Sequence, residues 1–234
     1  MTDKYLAVFD WNSTLFDDFS ATHEATNACL EFFNIAPISK DDLQSKFTFP
    51  LIHFYEKAGV KIDDYLQNTT QLAHIFHTKY DALKQQCGLM AGAIEALDFC
   101  KAQNMHCLIL SNYNQRPLEE DVKHLGVAEY FETISGNQDP EAITSGTNKL
   151  ERLEAYMTAH NFVAEQTFII GDSHEEPELA RKLNILGVSI AGGLLSPARL
   201  AHYKKDYIIE DLSELPSILK REWGLPESSQ NVKT

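Results

Sequence analysis

The stretch Tyr5-Leu6-Ala7-Val8-Phe9-Asp10-Trp11-Asn12-Ser13-Thr14-Leu15-Phe16-Asp17 sets five mostly apolar residues directly before a polar turn that begins with a carboxylate. A short apolar run bounded by turn residues reads as a buried strand. Runs of the same kind recur at Met105 to Leu110, Phe131 to Ile134, Thr167 to Ile170, Ile185 to Ile190 and Tyr207 to Ile209. Helical periodicity fills most of the intervals, at Ala93 to Lys101, Leu118 to His124, Lys149 to Ala159 and Glu176 to Leu183. Strand alternating with helix predicts an α/β fold, a parallel sheet of five or six strands covered by helices on both faces.

The first interval breaks the pattern. About eighty residues or more lie between the first two strands, where a simple crossover needs only a dozen or so. From about Phe19 to Gln86 the excess looks helical. Ala25, Cys29, Phe32 and Phe33 share one side of a helix over Ala21 to Phe33, and Tyr65, Leu66, Leu72, Ile75, Phe76 and Leu83 form a stripe over Ile62 to Leu83. The expected division is core at residues 1–17, an all-helical module at 18–87 and core again at 88–234. Pro37 and the Cys87-Gly88 step punctuate the module, with Gly88 suited to ending a helix. The polar segment Pro226 to Thr234 is expected to fray.

Composition removes several classes of function. Among 234 residues, 20 Lys+Arg against 34 Asp+Glu give a formal charge of −14, which opposes binding to a phosphate backbone, so no nucleic-acid partner is expected. No apolar run approaches the roughly 20 residues that cross a bilayer, and the N-terminus lacks the basic start and cleavage site of a signal peptide. No membrane partner is therefore expected, and a cytoplasmic location is. Cys29, Cys87, Cys100 and Cys107 lie in apolar stretches without C-x-x-C spacing and read as reduced thiols.

In an open parallel sheet, reactive groups collect beyond the carboxyl ends of the strands. That rule selects Asp10, Ser111-Asn112 and Gly171-Asp172-Ser173, together with Lys149, which opens a helix 23 positions before Asp172. Two carboxylates offer the hard oxygens that Mg²⁺ takes. A carboxylate oxygen of Asp10 can attack phosphorus, and Ser111, the Asn112 amide and Lys149 can hold the remaining phosphoryl oxygens.

Four motifs now stand in order: Asp10-x-x-x-Thr14, Ser111 after an apolar strand, an isolated Lys149, and Gly171-Asp172-Ser173-x-x-Glu176. With the stretches Gly88 to Asn112 and Gly192 to Leu215, the sequence resembles the haloacid dehalogenase superfamily, in particular its phosphoglycolate-phosphatase-like members with a helical cap inserted after the first strand. The resemblance implies a Rossmann-like core and a hydrolase of a small phosphorylated metabolite. It implies Asp10 as nucleophile, Thr14, Ser111, Asn112 and Lys149 as substrate-binding residues, and Mg²⁺ held by Asp10, the backbone carbonyl of Asn12, Asp172 and, through water, Glu176.

One departure is chemically large. Phosphatases of that superfamily carry a second Asp, a general acid and base, at the position of Asn12. An amide cannot exchange that proton, and general acid–base catalysis is worth ~10²–10⁴-fold. Three alternatives follow: a catalytically impaired protein that binds a phosphorylated ligand or partner, a hydrolase of carbon–halogen bonds, or one of carbon–phosphorus bonds. The last resembles phosphonoacetaldehyde hydrolases in Asp10-Trp11 but lacks a cap lysine between Phe47 and Glu56, where only Lys46 and Lys57 flank the segment. His23 and His174 are placed to replace the missing acid, whereas His74 and His77 read as a surface pair. Arg152 competes with Lys149 as the site cation. Glu175, Glu176 and Glu178 also suit a helix start, and the aromatic residues from Phe47 to Phe54 read as hinge packing.

Overall fold

The computed structural model of the protein describes residues 4–138 and 148–226. The expected fraying of the C-terminal tail falls, beyond Pro226, outside the described residues. Six strands form one parallel sheet: β1 (Leu6–Phe9), β2 (His106–Asn114), β3 (Thr133–Asn137), β4 (Thr167–Gly171), β5 (Leu186–Ile190) and β6 (Tyr207–Ile209), in the order β3-β2-β1-β4-β5-β6. The fold is the expected Rossmann-like α/β sheet with helices on both faces.

Alternation along the strands builds the two faces. Ala7, Phe9, Ile109, Phe168, Ile170 and Val188 point into one cluster, which the helices Ala93–Ala102, Gln115–His124 and Leu215–Trp223 cover. Leu6, Val8, Leu108, Leu110 and Ile169 point the other way, onto the helices Lys149–His160 and Glu175–Leu183. All four residues of β1 are fully buried, as the central strand of such a sheet requires. Among the described residues, no helix is long and apolar enough to cross a membrane.

Between Phe19 and Lys84 the chain forms helices that bury a cluster of their own around Leu30, Leu43, Phe54, Tyr55 and Tyr65. The expected stripe over Ile62 to Leu83 is two helices, Ile62–Gln67 and Thr69–Lys84. Asn68 separates them, with φ −121° and its side chain donating to the Asp64 carbonyl at 2.7 Å. Gly88 does not end the second helix, which stops at Lys84; its carbonyl instead accepts from the Asp17 amide at 3.0 Å. This bond ties the departing and returning strands of the chain together. β2 also runs further than the sequence suggests, through Ser111 and Asn112 to Asn114, with a register shift against β3 between Leu110 and Asn114.

On the side of Gly193, three hydrogen bonds hold the helical segment over the sheet. The Gln44 side chain donates to the Gly193 carbonyl at 2.7 Å, and Arg199 donates to the Gln44 and Phe47 carbonyls at 2.9 and 2.6 Å. On the opposite side, buried Lys84 meets both oxygens of Asp121 at 2.9 Å and the Tyr113 hydroxyl at 2.8 Å.

Where the chain re-enters the core, Gly92 sits at φ +72°, and a Cβ there would lie 2.2 Å from the Ser213 backbone nitrogen. Left-handed backbone costs other residues about 1–2 kcal/mol, and a backbone neighbour cannot swing aside. Gly92→Ala is expected to lower stability by about 2 kcal/mol or more, read as a reduced urea midpoint with an unchanged slope.

Candidate active site

The strand order reverses between β1 and β4, and ligands of open α/β sheets bind in the crevice beyond the strand ends at such a point. Asp10 follows β1 and Asp172 follows β4, so the sheet delivers both carboxylates to one crevice, where they face a common cavity of about 240 Å³. Asn12, Ser111, Asn112 and Lys149 border the same cavity.

Lys149 organises its floor. The ammonium lies 2.8 Å from Asp10 Oδ1, 2.7 Å from Glu176 Oε1 and 3.9 Å from Glu175 Oε2. Burial opposes its charge, but the attraction of Asp10, Glu176 and Glu175 prevails and holds its pKa above the ordinary lysine value. Glu176 is completely enclosed, and its other oxygen accepts from the Ser173 hydroxyl at 2.8 Å. Burial disfavours its charge, yet Lys149 outweighs that and keeps its pKa below the usual glutamate value. Both Glu176 oxygens are thus taken up within the protein, so its geometry differs from that of the expected metal-facing residue.

Asp10 and Asp172 are short of positive charge. Burial raises Asp10 to about 7, with Lys149 opposing the shift and Glu176 adding to it. Asp172 is pushed well above the carboxylate range, first by burial and then by the charge of Asp10. Its Oδ2 accepts from the Leu194 amide at 2.6 Å, whereas Oδ1, also buried, meets no hydrogen-bond donor among the described residues. The Leu194 contact depends on a close backbone approach, since a Cβ on Gly193 would stand 2.1 Å from Asp172 Oδ2. A hard divalent cation suits this donor set, because it supplies charge to both carboxylates and a partner to the orphaned oxygen. Among the described residues no cluster of three or more His, Cys, Asp or Glu side chains forms a metal cage, His74 and His77 included.

The remaining sequence-selected residues divide. Ser111 is buried and its Oγ accepts from the Tyr113 amide at 3.0 Å, while the Asn112 amide donates to Glu175 Oε2 at 2.6 Å. Arg152 does not compete with Lys149: its guanidinium is spent on the carbonyls of Ser111, Ser135 and Gly136 at 2.8, 3.0 and 2.8 Å. Thr14 is fully enclosed and lies off the cavity wall. So do His23, held by the Ile38 carbonyl at 2.7 Å, and His174, against Phe49 and Tyr203. Lys46 pairs with Asp42 at 3.3 Å and Lys57 is exposed, so neither flanking cap lysine reaches the wall.

Sequence reasoning missed the surroundings of Asn12. Its side-chain amide donates to Asp18 Oδ2 at 2.7 Å and to the Tyr80 hydroxyl at 2.9 Å, and that hydroxyl donates to Asp18 Oδ2 at 2.5 Å. Asp18 Oδ1 accepts from the Ser13 amide at 2.7 Å and its hydroxyl at 3.1 Å. Burial raises the pKa of Asp18, and bonds from Tyr80, Asn12 and Ser13 offset part of the rise. A carboxylate is therefore present near position 12, one hydrogen bond away. The aromatic residues Phe47, Phe49 and Phe54 were also read too narrowly, since all three line the cavity, with Leu51, as well as packing among the helices.

Residues 7–190 match the family model for haloacid dehalogenase-like hydrolases, and the chain belongs to that family of enzymes. It is 22% identical over 151 residues to pyrophosphatase PpaX of Listeria welshimeri, covering 63% of this chain and 68% of the relative. Its fold is shared with a haloacid dehalogenase-like family hydrolase from Streptococcus pneumoniae, at TM-score 0.75 and 21% identity over 94% of this chain and 100% of that one. A protein proposed as a phosphoglycolate phosphatase from Lactobacillus delbrueckii superposes at TM-score 0.73 with 16% identity over 94% and 99% of the two chains. At these identities the solved structures speak to fold.

Removing the Lys149 charge leaves Asp10 and Glu176 buried without their cation, a loss worth about 3–5 kcal/mol for a broken buried pair. Both carboxyls then carry folded pKa values above their unfolded values of about 4. Such groups favour the folded state below the unfolded pKa and lose that contribution as pH rises through the folded one. Lys149→Met is therefore expected to destabilise the protein more at pH 8 than at pH 5, as measured by urea unfolding at both.

Proposed function

We propose that the protein is a Mg²⁺-dependent hydrolase of a small phosphorylated compound, with Asp10 as the nucleophile. The observation that carries this reading is the convergence of Asp10, Asp172 and Lys149 at one cavity floor, where the strand order reverses. Asp10, the Asn12 carbonyl and Asp172 would hold the ion, which supplies charge neutralisation at the phosphoryl group.

The chain's own residues account for the remaining chemistry. An Asp10 oxygen forms a bond to phosphorus while the bond from phosphorus to the leaving oxygen breaks, and the electron pair departs with that oxygen. Water then attacks phosphorus, releasing inorganic phosphate and restoring the carboxylate. Lys149, with the Ser111 hydroxyl and the Asn112 amide, stabilises charge on the peripheral oxygens. Glu176 acts through Lys149, fixing its ammonium against Asp10, and is a positioning residue. The helices within residues 18–87 serve as the cap, excluding water during the first step.

Asn12 lowers turnover of substrates whose leaving oxygen needs a proton. Asp10→Asn is expected to abolish release of inorganic phosphate from p-nitrophenyl phosphate in the presence of Mg²⁺, and turnover indifferent to that change refutes the nucleophile. The companion variant tests the neighbourhood of Asn12. Asn12→Asp alone sets a second carboxylate against Asp18, and two such groups in one buried site share a proton rather than both ionising. Asn12→Asp combined with Asp18→Asn relieves the repulsion, and is expected to hydrolyse an alkyl phosphate about tenfold or more faster than either the single variant or the native protein.

A further inference from the structure

The cavity above Asp10 has an uneven distribution of charge. Its charged floor is Asp10, Asp172, Glu175 and Lys149, and the ammonium of Lys149 is already divided among carboxylates at 2.8 and 2.7 Å. Away from the floor the wall is aromatic. Phe47 meets Phe49 edge-on with ring centroids 5.1 Å apart and lies 5.9 Å from Phe54. Elsewhere on the lining Phe76 stacks on Tyr80 at 5.6 Å, and Tyr80 meets Tyr113 at 6.0 Å. Among the described residues lining the cavity, no arginine and no lysine besides Lys149 occurs, and His77 is the one further side chain able to carry positive charge.

A substrate bearing a second anionic group would have to bury it against these rings without a dedicated cation, which is strongly unfavourable. A flat uncharged ring fits the same wall by edge-to-face and stacked contacts. The Asn12 position points independently to the same chemistry. An aryl oxide, whose conjugate acid resembles the tyrosine phenol with pKa of about 10, departs without a proton donor far more readily than an alkoxide does.

Resting on the phosphohydrolase reading, we infer that the substrate is an aryl phosphate monoester, its uncharged ring held by the aromatic wall formed by Phe47, Phe49, Phe54, Phe76, Tyr80 and Tyr113. In the first step Asp10 takes the phosphoryl group, the bond from phosphorus to the aryl oxygen breaks, and the aryl oxide leaves with the electron pair and takes its proton from water. Water then cleaves the aspartyl-phosphate to inorganic phosphate and the free carboxylate.

The test compares 1-naphthyl phosphate, pyrophosphate, phosphoglycolate and 2-phenylethyl phosphate as substrates of the native protein with Mg²⁺, following phosphate release. The dissociation constant of each is measured by calorimetry on the Asp10→Asn protein. Expected is a kcat/KM for 1-naphthyl phosphate about tenfold or more above each of the others, and binding of both ring-bearing esters about tenfold tighter than of the two compounds with a second anionic group. Phe49→Ala and Phe76→Ala are each expected to raise KM for 1-naphthyl phosphate about tenfold while moving KM for pyrophosphate much less. A lead for pyrophosphate or phosphoglycolate that His77→Gln abolishes would identify His77 as an anion site and overturn the inference, as would equal binding of all four compounds. Asp10-dependent turnover with the wrong preference refutes the aryl substrate alone. Absence of turnover on every compound refutes the phosphohydrolase reading, and the binding series still decides what the cavity prefers.

Discussion

A single ammonium, that of Lys149, lies between two buried carboxylates, and the floor of the crevice depends on it. Without its charge, Asp10 and Glu176 would stand together in a dry site, each favouring protonation of the other. With it, Glu176 is held below the usual glutamate value, while burial keeps Asp10, the less enclosed of the two, above the ordinary carboxylate range. The difference arises from what else each carboxylate touches. Glu176 has the Ser173 hydroxyl in addition to Lys149, whereas burial raises Asp10 and the charge of Glu176 adds to the rise rather than relieving it. The site therefore holds more buried carboxylates than its one ammonium can neutralise, the electrostatic condition for taking up a cation.

The positions of the two strand-end carboxylates are legible in the sequence. β1 and β4 are short apolar runs ending at a carboxylate, and both features are local, so Asp10 and Asp172 follow from sequence together with the rule for parallel sheets. The choice between Lys149 and Arg152 was not local. It turns on which cation the carbonyls of Ser111, Ser135 and Gly136 take up, and they belong to two other strands. Asp18 was missed for the same reason. In sequence it is one of several acidic residues near a helix start, and only tertiary folding brings Tyr80, 62 positions away, onto its oxygen.

The aromatic residues from Phe47 to Phe54 show a different limit. Periodicity separates apolar from polar faces, but it cannot distinguish a ring that packs in a core from one that borders a cavity. Phe54 does both, being nearly inaccessible to solvent and yet part of the wall. Likewise Thr14 belongs to the motif that marks the first strand's turn, yet it lies beneath the surface of the site. A motif records that a residue is needed without recording whether it supports the turn or meets the substrate.

The bonds that fasten the helical segment on the Gly193 side have a further consequence. Arg199 grips the carbonyls of Gln44 and Phe47, and Gln44 in turn holds that of Gly193. These are contacts to neutral main-chain dipoles, which mobile ions weaken far less than they weaken a solvent-exposed pair of opposite charges. The fastening is thus largely indifferent to the surrounding electrolyte, and Gly193 is also the residue whose missing side chain admits Asp172. The residue that anchors the helical segment through its carbonyl is thus also the one whose bare α-carbon leaves room for an acid of the crevice floor.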